Sequence, residues 1–313
     1  MPFEHLIGQE SVKKKLNFYL QGYQKTNTVP FLNFVGAKGL GKTEFAREFS
    51  KNLINSSGVR KPFYEINSST IKNLGQFFEQ IFLPLILEQE VSILFDEAHA
   101  IPRDLTMAFL TIFNTENSNK KEFIYKDSSY TFDFTKQSFF FATTESDKIF
   151  APLRDRLVTV DFDLYNSNEL GQIFLSHFPN VSFDEEAINH LSTTFRGNAR
   201  NCIHRVKDVR LFIETHNITH FNLDCAKNLC STLGILPEGL TSIEWRILNI
   251  LRRDGRSSLQ SLCAKTGLSR SSLQRDHELH LLQKGFLEID GLRQITSKGC
   301  EFLRKFNQRS DYL

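Results

Sequence analysis

Residues 36–43 restrict the possible folds of this 313-residue chain more than any other segment of the sequence. They read Gly-Ala-Lys-Gly-Leu-Gly-Lys-Thr, between the apolar run 31–35 and a stretch with helical spacing. Glycines in such a turn let successive backbone N–H groups surround a phosphate, and the start of the next helix favours negative charge. An incidental glycine turn is the alternative, but it leaves the flanking strand and helix unexplained. The pattern therefore predicts a P-loop.

Each polar position of this loop has a task in binding a nucleoside triphosphate. Lys42 is expected to bridge the β- and γ-phosphates, and Thr43 to offer its hydroxyl to Mg²⁺. The glycines that shape the loop are Gly36, Gly39 and Gly41. We therefore predict that the chain binds ATP with Mg²⁺.

A second apolar run, residues 91–95, ends in two adjacent carboxylates, Asp96 and Glu97. Asp96 is expected to hold Mg²⁺, directly or through water, and Glu97 to polarise the attacking water as general base. A solvated acidic turn is the common alternative for such a pair. That alternative leaves both the apolar run and the P-loop as coincidences.

Three further polar residues occur where an ATP-hydrolysing machine needs them. Thr144 follows the apolar run 138–143 and could sense the γ-phosphate. Arg156, in Pro-Leu-Arg-Asp-Arg, could reach across a subunit boundary to stabilise charge on the transferring phosphoryl group. Arg200, in Arg-Gly-Asn-Ala-Arg, could reach the nucleotide from a helical lid. Each signal alone is weak, because a surface arginine is usually only solvated.

The alternation of strand-like and helical patterns predicts the domain organisation. Residues 1–163 alternate between them, which is typical of an α/β nucleotide-binding domain with a parallel sheet. Residues 164–236 show helical patterns only and are predicted to form a lid domain. The strand-like runs are 31–35, 63–67, 91–95, 138–143 and 157–162, and the lid helices are 168–178, 184–195, 199–215 and 224–233.

Residues 237–313 have the pattern of a winged helix. Ser242, Ser258 and Ser269 are placed to cap three successive helices, with Gly267 at the turn before the third. The third helix is expected to bury Leu273, Leu279 and Leu282 on one apolar side. Asp290 and Gly291 then suit a two-residue hairpin turn between runs 286–289 and 292–296.

Composition indicates which part of the chain could bind phosphate and in which compartment the protein is expected. The net charge is +2, but 13 Lys and Arg face 8 Asp and Glu after residue 240, so the C-terminal domain is the better candidate for meeting phosphate. No segment has the length and apolarity of a signal peptide or membrane span, so we expect a cytoplasmic protein. The five cysteines are scattered and are expected to be reduced thiols. We interpret His99, His204 and His277 as structural or surface residues.

The order of these motifs carries a family resemblance over nearly the full chain. The chain resembles the AAA+ ATPases and, among them, most closely the RuvB family of Holliday-junction branch-migration motors. The matching segments are Ile7-Gly8-Gln9-Glu10, residues 36–43, Asp96-Glu97-Ala98-His99, Ala142-Thr143-Thr144, residues 151–156, Arg196-Gly197 with Arg200, and Gly285-Phe286-Leu287.

The resemblance implies roles for individual residues. Ile7 and Gly8 should lie beside the adenine, Thr144 should be sensor 1 and Arg200 sensor 2. Arg156 should be the arginine finger, with Arg154 as the alternative. The family also implies a homo-oligomeric ring, expected to be a hexamer, that uses ATP hydrolysis to translocate branched or duplex DNA.

Four basic residues on the third helix or the wing are candidates for DNA contact, and Arg293 matches the wing arginine of the family. Contacts of this kind neutralise phosphates without reading bases, which suits a motor that moves along any sequence. A protein-docking winged helix with solvated arginines is the alternative. The candidates are Arg270, Arg275, Arg293 and Lys298.

The chain also departs from the RuvB pattern. Ala37 and Lys38 replace the usual Pro-Pro of the P-loop. The hairpin before sensor 1 is short, with two strands flanking a polar four-residue turn, residues 126–129. In RuvB the longer hairpin docks on RuvA through an apolar end, so the usual RuvA docking is not expected here.

Two rival functions fit parts of the same sequence. An initiator, or a helicase or clamp loader, would use ATP as an assembly switch on DNA. A sequence-specific transcriptional regulator would use the winged helix but leaves the arginine finger and the sensors unexplained. We interpret the chain as an ATP-driven DNA motor.

Overall fold

A computed structural model describes residues 2–54, 57–114 and 118–307. The chain divides into two compact units. The first comprises Met1–Tyr165 with Asn198–Arg200, and the second comprises Asn166–Gly197 with Asn201–Leu313. The predicted first boundary, at residue 163, lies two residues before this division. The predicted lid and winged helix fall within one unit, so the boundary at residue 236 stays a prediction.

A five-stranded sheet forms the centre of the first unit, with strand order β2-β3-β6-β1-β7. All neighbouring strands in this sheet are parallel, as the alternating pattern predicts. A separate two-stranded antiparallel hairpin is formed by β4 and β5. The strands are β1 (Leu32–Val35), β2 (Phe63–Asn67), β3 (Ser92–Asp96), β4 (Lys120–Tyr125), β5 (Ser128–Asp133), β6 (Ser138–Thr143) and β7 (Val158–Asp161).

Helices cover the sheet, and phenylalanine supplies much of the packing between the layers. Phe95 on β3 and Phe141 on β6 have ring centroids 5.4 Å apart, and Phe109 packs 5.3 Å from Phe95. Such pairs stabilise a core beyond the area they bury. The helices of this unit are α1 (Glu10–Thr26), α2 (Lys42–Lys51), α3 (Leu74–Phe77), which continues as a π-helix over Phe78–Ile86, α4 (Arg103–Ile112) and α5 (Ala151–Arg154).

The hairpin differs from the prediction at its turn. Tyr125 pairs with Ser128, so the turn consists of Lys126 and Asp127 and is shorter than the four residues expected. Lys126 has a φ of 53° and an ion pair of 2.8 Å with Glu79. The positive φ of Lys126 allows a tight turn, so the pairing of the two strands extends to Tyr125 and Ser128.

The aromatic face of the hairpin packs against the π-helix that follows α3. Tyr125 stacks on Phe78 with centroids 4.3 Å apart, and Phe132 lies 4.5 Å from Phe82. The opposite face carries Ile124, which is 73% exposed. The alternation predicted for the two strands is therefore confirmed.

The second unit is mainly helical. Its helices are α6 (Ser167–Leu175), α7 (Glu185–Thr193), α8 (Ala199–His216), whose first two residues belong to the first unit, α9 (Leu223–Thr232), α10 (Ser242–Asp254), α11 (Leu259–Thr266), α12 (Arg270–Ser272), a π-helix over Leu273–Glu278, α13 (Leu279–Gln283) and α14 (Ser297–Asn307). Its strands are β8 (Ser182–Phe183), β9 (His220–Phe221), β10 (Leu287–Asp290) and β11 (Leu292–Ile295). Within the described residues, no helix is long and apolar enough to cross a membrane.

Helix capping in the winged helix follows the sequence with one correction. Ser258 and Ser269 accept from the backbone N–H groups of Ser261 and Ser272, as predicted. The first cap is Thr241 rather than Ser242. The Thr241 hydroxyl accepts from the N–H of Glu244, whose carboxylate accepts from the N–H of Thr241. This reciprocal pair satisfies two N–H groups that the helix leaves unpaired.

The third helix of the winged helix buries a different face from the one predicted. Leu279 is 52% exposed and Leu282 is 38% exposed, whereas Leu273 and Leu281 are fully buried. On the α-helix that the sequence pattern predicts, six and nine residues correspond to about 240° and 180°, so Leu279 and Leu282 would lie off the face of Leu273 even there. The wing also turns more tightly than predicted, because Asp290 pairs with Leu292 across Gly291 alone.

A buried ion pair lies between the lid segment and α10. Arg196 donates to both carboxylate oxygens of Glu244, at 3.0 and 2.6 Å, and twice to the carbonyl of Gly239. Glu244 has no solvent exposure. Burial, with a smaller effect from Arg196, lowers the pKa of His280 to about 4. The neutral ring of His280 donates through Nε2 to the carbonyl of Glu238, 3.1 Å away.

Candidate nucleotide site and nucleic-acid interface

The P-loop leaves β1 at the carboxyl edge of the sheet, between β6 and β7, and α2 begins at Lys42. The Lys42 ammonium donates to the carbonyls of Gly36 and Ala37, at 2.7 and 2.8 Å. Burial lowers the pKa of Lys42, and the nearby Asp96 and Glu97 carboxylates oppose that shift. The ammonium is thus held inside the loop that it is predicted to use for phosphate binding.

Residues at the start of α8 close one side of the P-loop. The Asn198 side chain donates to the carbonyl of Lys38 at 2.6 Å, and the Arg200 N–H donates to the carbonyl of Gly39 at 3.3 Å. Gly39 has a φ of 81°, and a Cβ there would collide with the Asn198 side chain. The structure therefore places Arg200 beside the P-loop, where the sequence motif put it.

The two carboxylates lie at the same edge as the P-loop. Asp96 ends β3, and Glu97 follows with a φ of 51°. The Glu97 N–H donates to Asp96 Oδ1 at 2.9 Å. Burial of β3 supplies the rigid support, because Ile93, Leu94 and Phe95 have no solvent exposure.

His99 is a site residue that the sequence interpretation missed. Its Nδ1 lies 3.0 Å from Thr143 Oγ1 and 3.6 Å from Glu97 Oε2. His99 therefore connects the candidate base to the last residue of β6, directly before Thr144. The left-handed turn at Glu97 brings His99 back over the strand ends, and sequence spacing alone does not reveal that turn.

Sensor and finger candidates occupy the following segment. Thr144 is partly buried immediately after β6, and Arg154 is partly buried at the end of α5. Arg156 donates from Nη1 to the carbonyl of Pro152 at 2.6 Å. Its side chain lines a surface concavity of about 570 Å³ together with Phe31, Phe113 and other residues. Both arginines remain candidates for the finger.

The Ile7-Gly8 segment lies beside the end of β7. Gln9 donates to the carbonyl of Asp163 at 2.6 Å and accepts from its N–H at 3.2 Å. Phe3, in the same N-terminal turn, stacks on Phe45 of α2 with centroids 6.1 Å apart. These contacts fix Ile7 and Gly8 near the helix that starts at the P-loop, and their contact with adenine stays a prediction.

The basic residues predicted to contact DNA have different environments. Arg270 and Arg275 are exposed, and Lys298 donates to the carbonyl of Lys284 at 2.8 Å. Arg293 is only 9% exposed, and its guanidinium binds both oxygens of Glu278, at 2.8 and 3.2 Å. This ion pair occupies Nε and one Nη of the guanidinium. Contact of Arg293 with DNA stays a prediction.

The donor set at the carboxyl edge fits Mg²⁺. Thr43 supplies a hydroxyl and Asp96 a carboxylate, both hard oxygen ligands, and Mg²⁺ usually takes its remaining ligands from water and phosphates. The described residues contain no cluster of three or more His, Cys, Asp or Glu that would form an all-protein metal site.

Comparisons with known proteins agree with this geometry. Residues 32–164 match the model of the ATPase family associated with various cellular activities (AAA), and residues 240–275 match a model described as winged helix-turn-helix DNA-binding. The Holliday junction branch migration complex subunit RuvB of Fusobacterium nucleatum is 27% identical, over 97% of this chain and 91% of the relative. RuvB of Thermotoga maritima is 26% identical, over 96% and 90%.

Solved structures give the same result for the fold. The Thermotoga maritima RuvB Holliday junction branch migration motor superposes with a TM-score of 0.76 at 24% identity, covering 95% of each chain. The fold of this chain is thus the fold of a solved RuvB structure over nearly its whole length. The chain is a RuvB-like AAA+ protein.

Proposed function

We propose that this protein is an ATP-driven DNA motor of the RuvB type. One observation carries the proposal: the P-loop after β1, the carboxylates after β3 and the hydroxyls after β6 meet at one edge of a parallel sheet. Relatives that align over nearly the whole chain are named as subunits of the Holliday junction branch migration complex. The winged-helix match supplies a DNA-binding module.

The residues at this edge divide the chemistry of hydrolysis. Phosphate oxygens would replace the two P-loop carbonyls as partners of Lys42. Thr43 and Asp96 would hold Mg²⁺, which neutralises charge on the phosphates when it is bound. Glu97 would polarise the attacking water, and His99 would keep the Glu97 carboxylate oriented towards that water.

Arginines complete the site from two directions. Arg200 lies next to the P-loop and would neutralise the terminal phosphate. Arg156 would act on the nucleotide of a neighbouring copy in a ring, which we expect to be a hexamer. Such stabilisation at a subunit boundary would couple hydrolysis to ring movement, because each nucleotide site is complete only when two copies are in contact.

Arg156→Ala is expected to reduce hydrolysis about 1000-fold while leaving ATP binding intact, as for loss of an arginine finger supplied in trans. Mixing this variant with Lys42→Ala protein should restore part of the activity, because each copy supplies what its neighbour lacks. Steady-state ATPase of rings shown to contain both variants is the measurement. Arg154→Ala, measured in parallel, decides between the two candidate fingers, because only the variant of the true finger should show this loss. A strictly inactive mixed ring would place Arg156 within its own subunit's chemistry.

Turnover on branched DNA tests the proposal as a whole. Steady-state ATP hydrolysis should rise when DNA is added, and strands of a four-way junction should separate with continuous turnover. Glu97→Gln protein, which we expect to bind ATP but to hydrolyse it much more slowly, provides the control for passive melting. A single round of ATP hydrolysis on loading, without movement of the junction, would contradict the motor function and favour an assembly switch.

The hairpin leads us to propose that docking on RuvA in the usual way does not occur. The tip consists of Lys126 and Asp127, and the aromatic face is already covered by Phe78 and Phe82. Such a tip offers too little apolar surface for a stable complex. Calorimetric titration with the host's RuvA should show no binding. Micromolar or tighter binding that is lost when Lys126 and Asp127 are replaced by Gly would overturn the prediction.

A further inference from the structure

A concave basic groove lies on the winged helix between α10 and the end of α11. The concavity measures about 610 Å³. It is lined by Arg246, Asn249, Ile250, Arg252, Arg253 and Lys265. We call it the α10–α11 groove. It contains none of the four residues that the sequence singled out for DNA contact.

The groove has a strong excess of positive charge that is fixed in place. Arg246 donates to the carbonyl of Lys265 at 2.7 Å, which anchors its guanidinium across the two helices. Arg253 and Lys265 share one acid, Asp254, at 2.8 Å each. Arg252 is exposed in the last turn of α10. Four cationic side chains are thus accompanied by one carboxylate. A ligand with several negative charges would therefore meet several positive charges without a change in the backbone.

The third helix and the wing offer a less suitable surface for phosphate. Arg293 is buried against Glu278. The exposed side chains of the third helix include Leu279 and Leu282 as well as Arg270 and Arg275, and the wing exposes Glu288 and Asp290. The apolar and acidic groups on that face weaken the attraction of its two arginines for a polyanion.

The lining of the groove also argues against an acidic peptide. Protein partners usually anchor apolar or aromatic side chains in a pocket. Ile250, the apolar residue of this lining, is only 8% exposed, and Asn249 is bonded to the carbonyl of Trp245 at 2.9 Å. What remains for a ligand to contact is mainly charge, which is the property of a repeating phosphate chain.

We propose that the α10–α11 groove binds the phosphodiester backbone of duplex DNA, independently of base sequence. The choice of DNA rests on the proposed function. The arginines in the last turn of α10 also stabilise the helix dipole, but that role needs neither a groove nor four cations. Binding through this groove would turn the first two helices of the winged helix, rather than its third helix and wing, towards DNA.

The test compares two charge reversals of the full chain, Arg252→Glu in the groove and Arg304→Glu on α14. Both residues are exposed, and the two variants have the same net charge. Affinity for a fluorescent duplex of arbitrary sequence is measured by anisotropy over a range of KCl concentrations. Arg252→Glu should weaken binding about tenfold and lower the slope of log K against log salt by about one. Arg304→Glu should change both much less.

Equal effects of the two variants would overturn the proposal, since net charge alone would then explain binding. Poly-L-glutamate that competes as well as DNA, charge for charge, would also overturn it and indicate an acidic protein ligand. If Arg252→Glu fails to fold, Arg252→Gln replaces it, with the same expected loss of about one unit of slope. Thermal unfolding of each variant checks the fold.

ATPase without DNA separates this inference from the proposed function. Arg252→Glu should keep the DNA-free hydrolysis rate of the wild type, because the groove is not part of the nucleotide site. Wild-type protein that binds DNA through the groove but hydrolyses no ATP would contradict the motor and leave the groove assignment standing. Active, DNA-stimulated protein whose binding ignores Arg252 would contradict the groove alone.

Discussion

Replacing Glu97 with Gln is expected to slow ATP hydrolysis at least about 100-fold, because the attacking water loses its general base. ATP should still bind, since Lys42 and the P-loop are unchanged. Single-turnover hydrolysis and equilibrium binding of a fluorescent ATP analogue are the two measurements. Lys42→Ala should instead lose binding, because the phosphates lose their main cationic partner.

Glu44→Gln is the matched control for this experiment. Glu44 lies in the first turn of α2, close in sequence to the P-loop, and pairs with Arg47 at the surface. Its neutralisation should leave hydrolysis nearly unchanged. Wild-type turnover in Glu97→Gln protein would show that another group activates the water, and Asp96 would be the next candidate.

Arg196→Ala is expected to destabilise the second unit by about 3–5 kcal/mol, the cost of leaving a buried charge without its partner. Glu244 has no solvent exposure, and the Arg196 guanidinium supplies two of its hydrogen bonds. The chain's single tryptophan, Trp245, lies next to Glu244 on α10 and reports unfolding of this region. Urea denaturation followed by its fluorescence gives the free energy.

Two further variants separate the buried charge from simple loss of packing. Adding Glu244→Gln to Arg196→Ala should recover part of the stability, because the amide keeps an acceptor for the Thr241 N–H without an unpaired charge. Lys227→Ala, which breaks an exposed pair with Asp224, should cost at most about 1 kcal/mol. A cost for Arg196→Ala no larger than for Lys227→Ala would show that water reaches the Glu244 carboxylate.

The sequence predicts the nucleotide-binding sheet well because its central strands β1, β3 and β6 are largely buried apolar runs. The predicted runs 63–67 and 138–143 match β2 and β6 without error. Parallel strands put their carboxyl ends at one edge, so the P-loop, Asp96 and Thr144 could be brought together by topology alone. Local sequence patterns therefore suffice to predict the site residues that directly follow the end of a strand.

The sequence does not reveal a residue's partner when that partner is distant along the chain. Arg293 looks like a free wing arginine until β11 and the third helix bring it to Glu278, and His99 looks isolated until the turn at Glu97 brings it to Thr143. The predicted burial of Leu279 is wrong for a simpler reason, because its spacing from Leu273 does not fit one face of an α-helix. The charge or apolarity of a residue does not specify which residue it contacts in the fold.

The hairpin of β4 and β5 has a consequence for protein engineering. Its aromatic residues pack on the π-helix that follows α3, whereas Lys126 and Asp127 form the turn beyond that packing and add one exposed ion pair, between Lys126 and Glu79. Extra residues inserted between these two would leave the core intact, and each doubling of loop length adds only about 0.6 kcal/mol of closure cost. The tip is therefore a permissive site for grafting a recognition peptide, through which a chosen partner could be recruited to the ATPase.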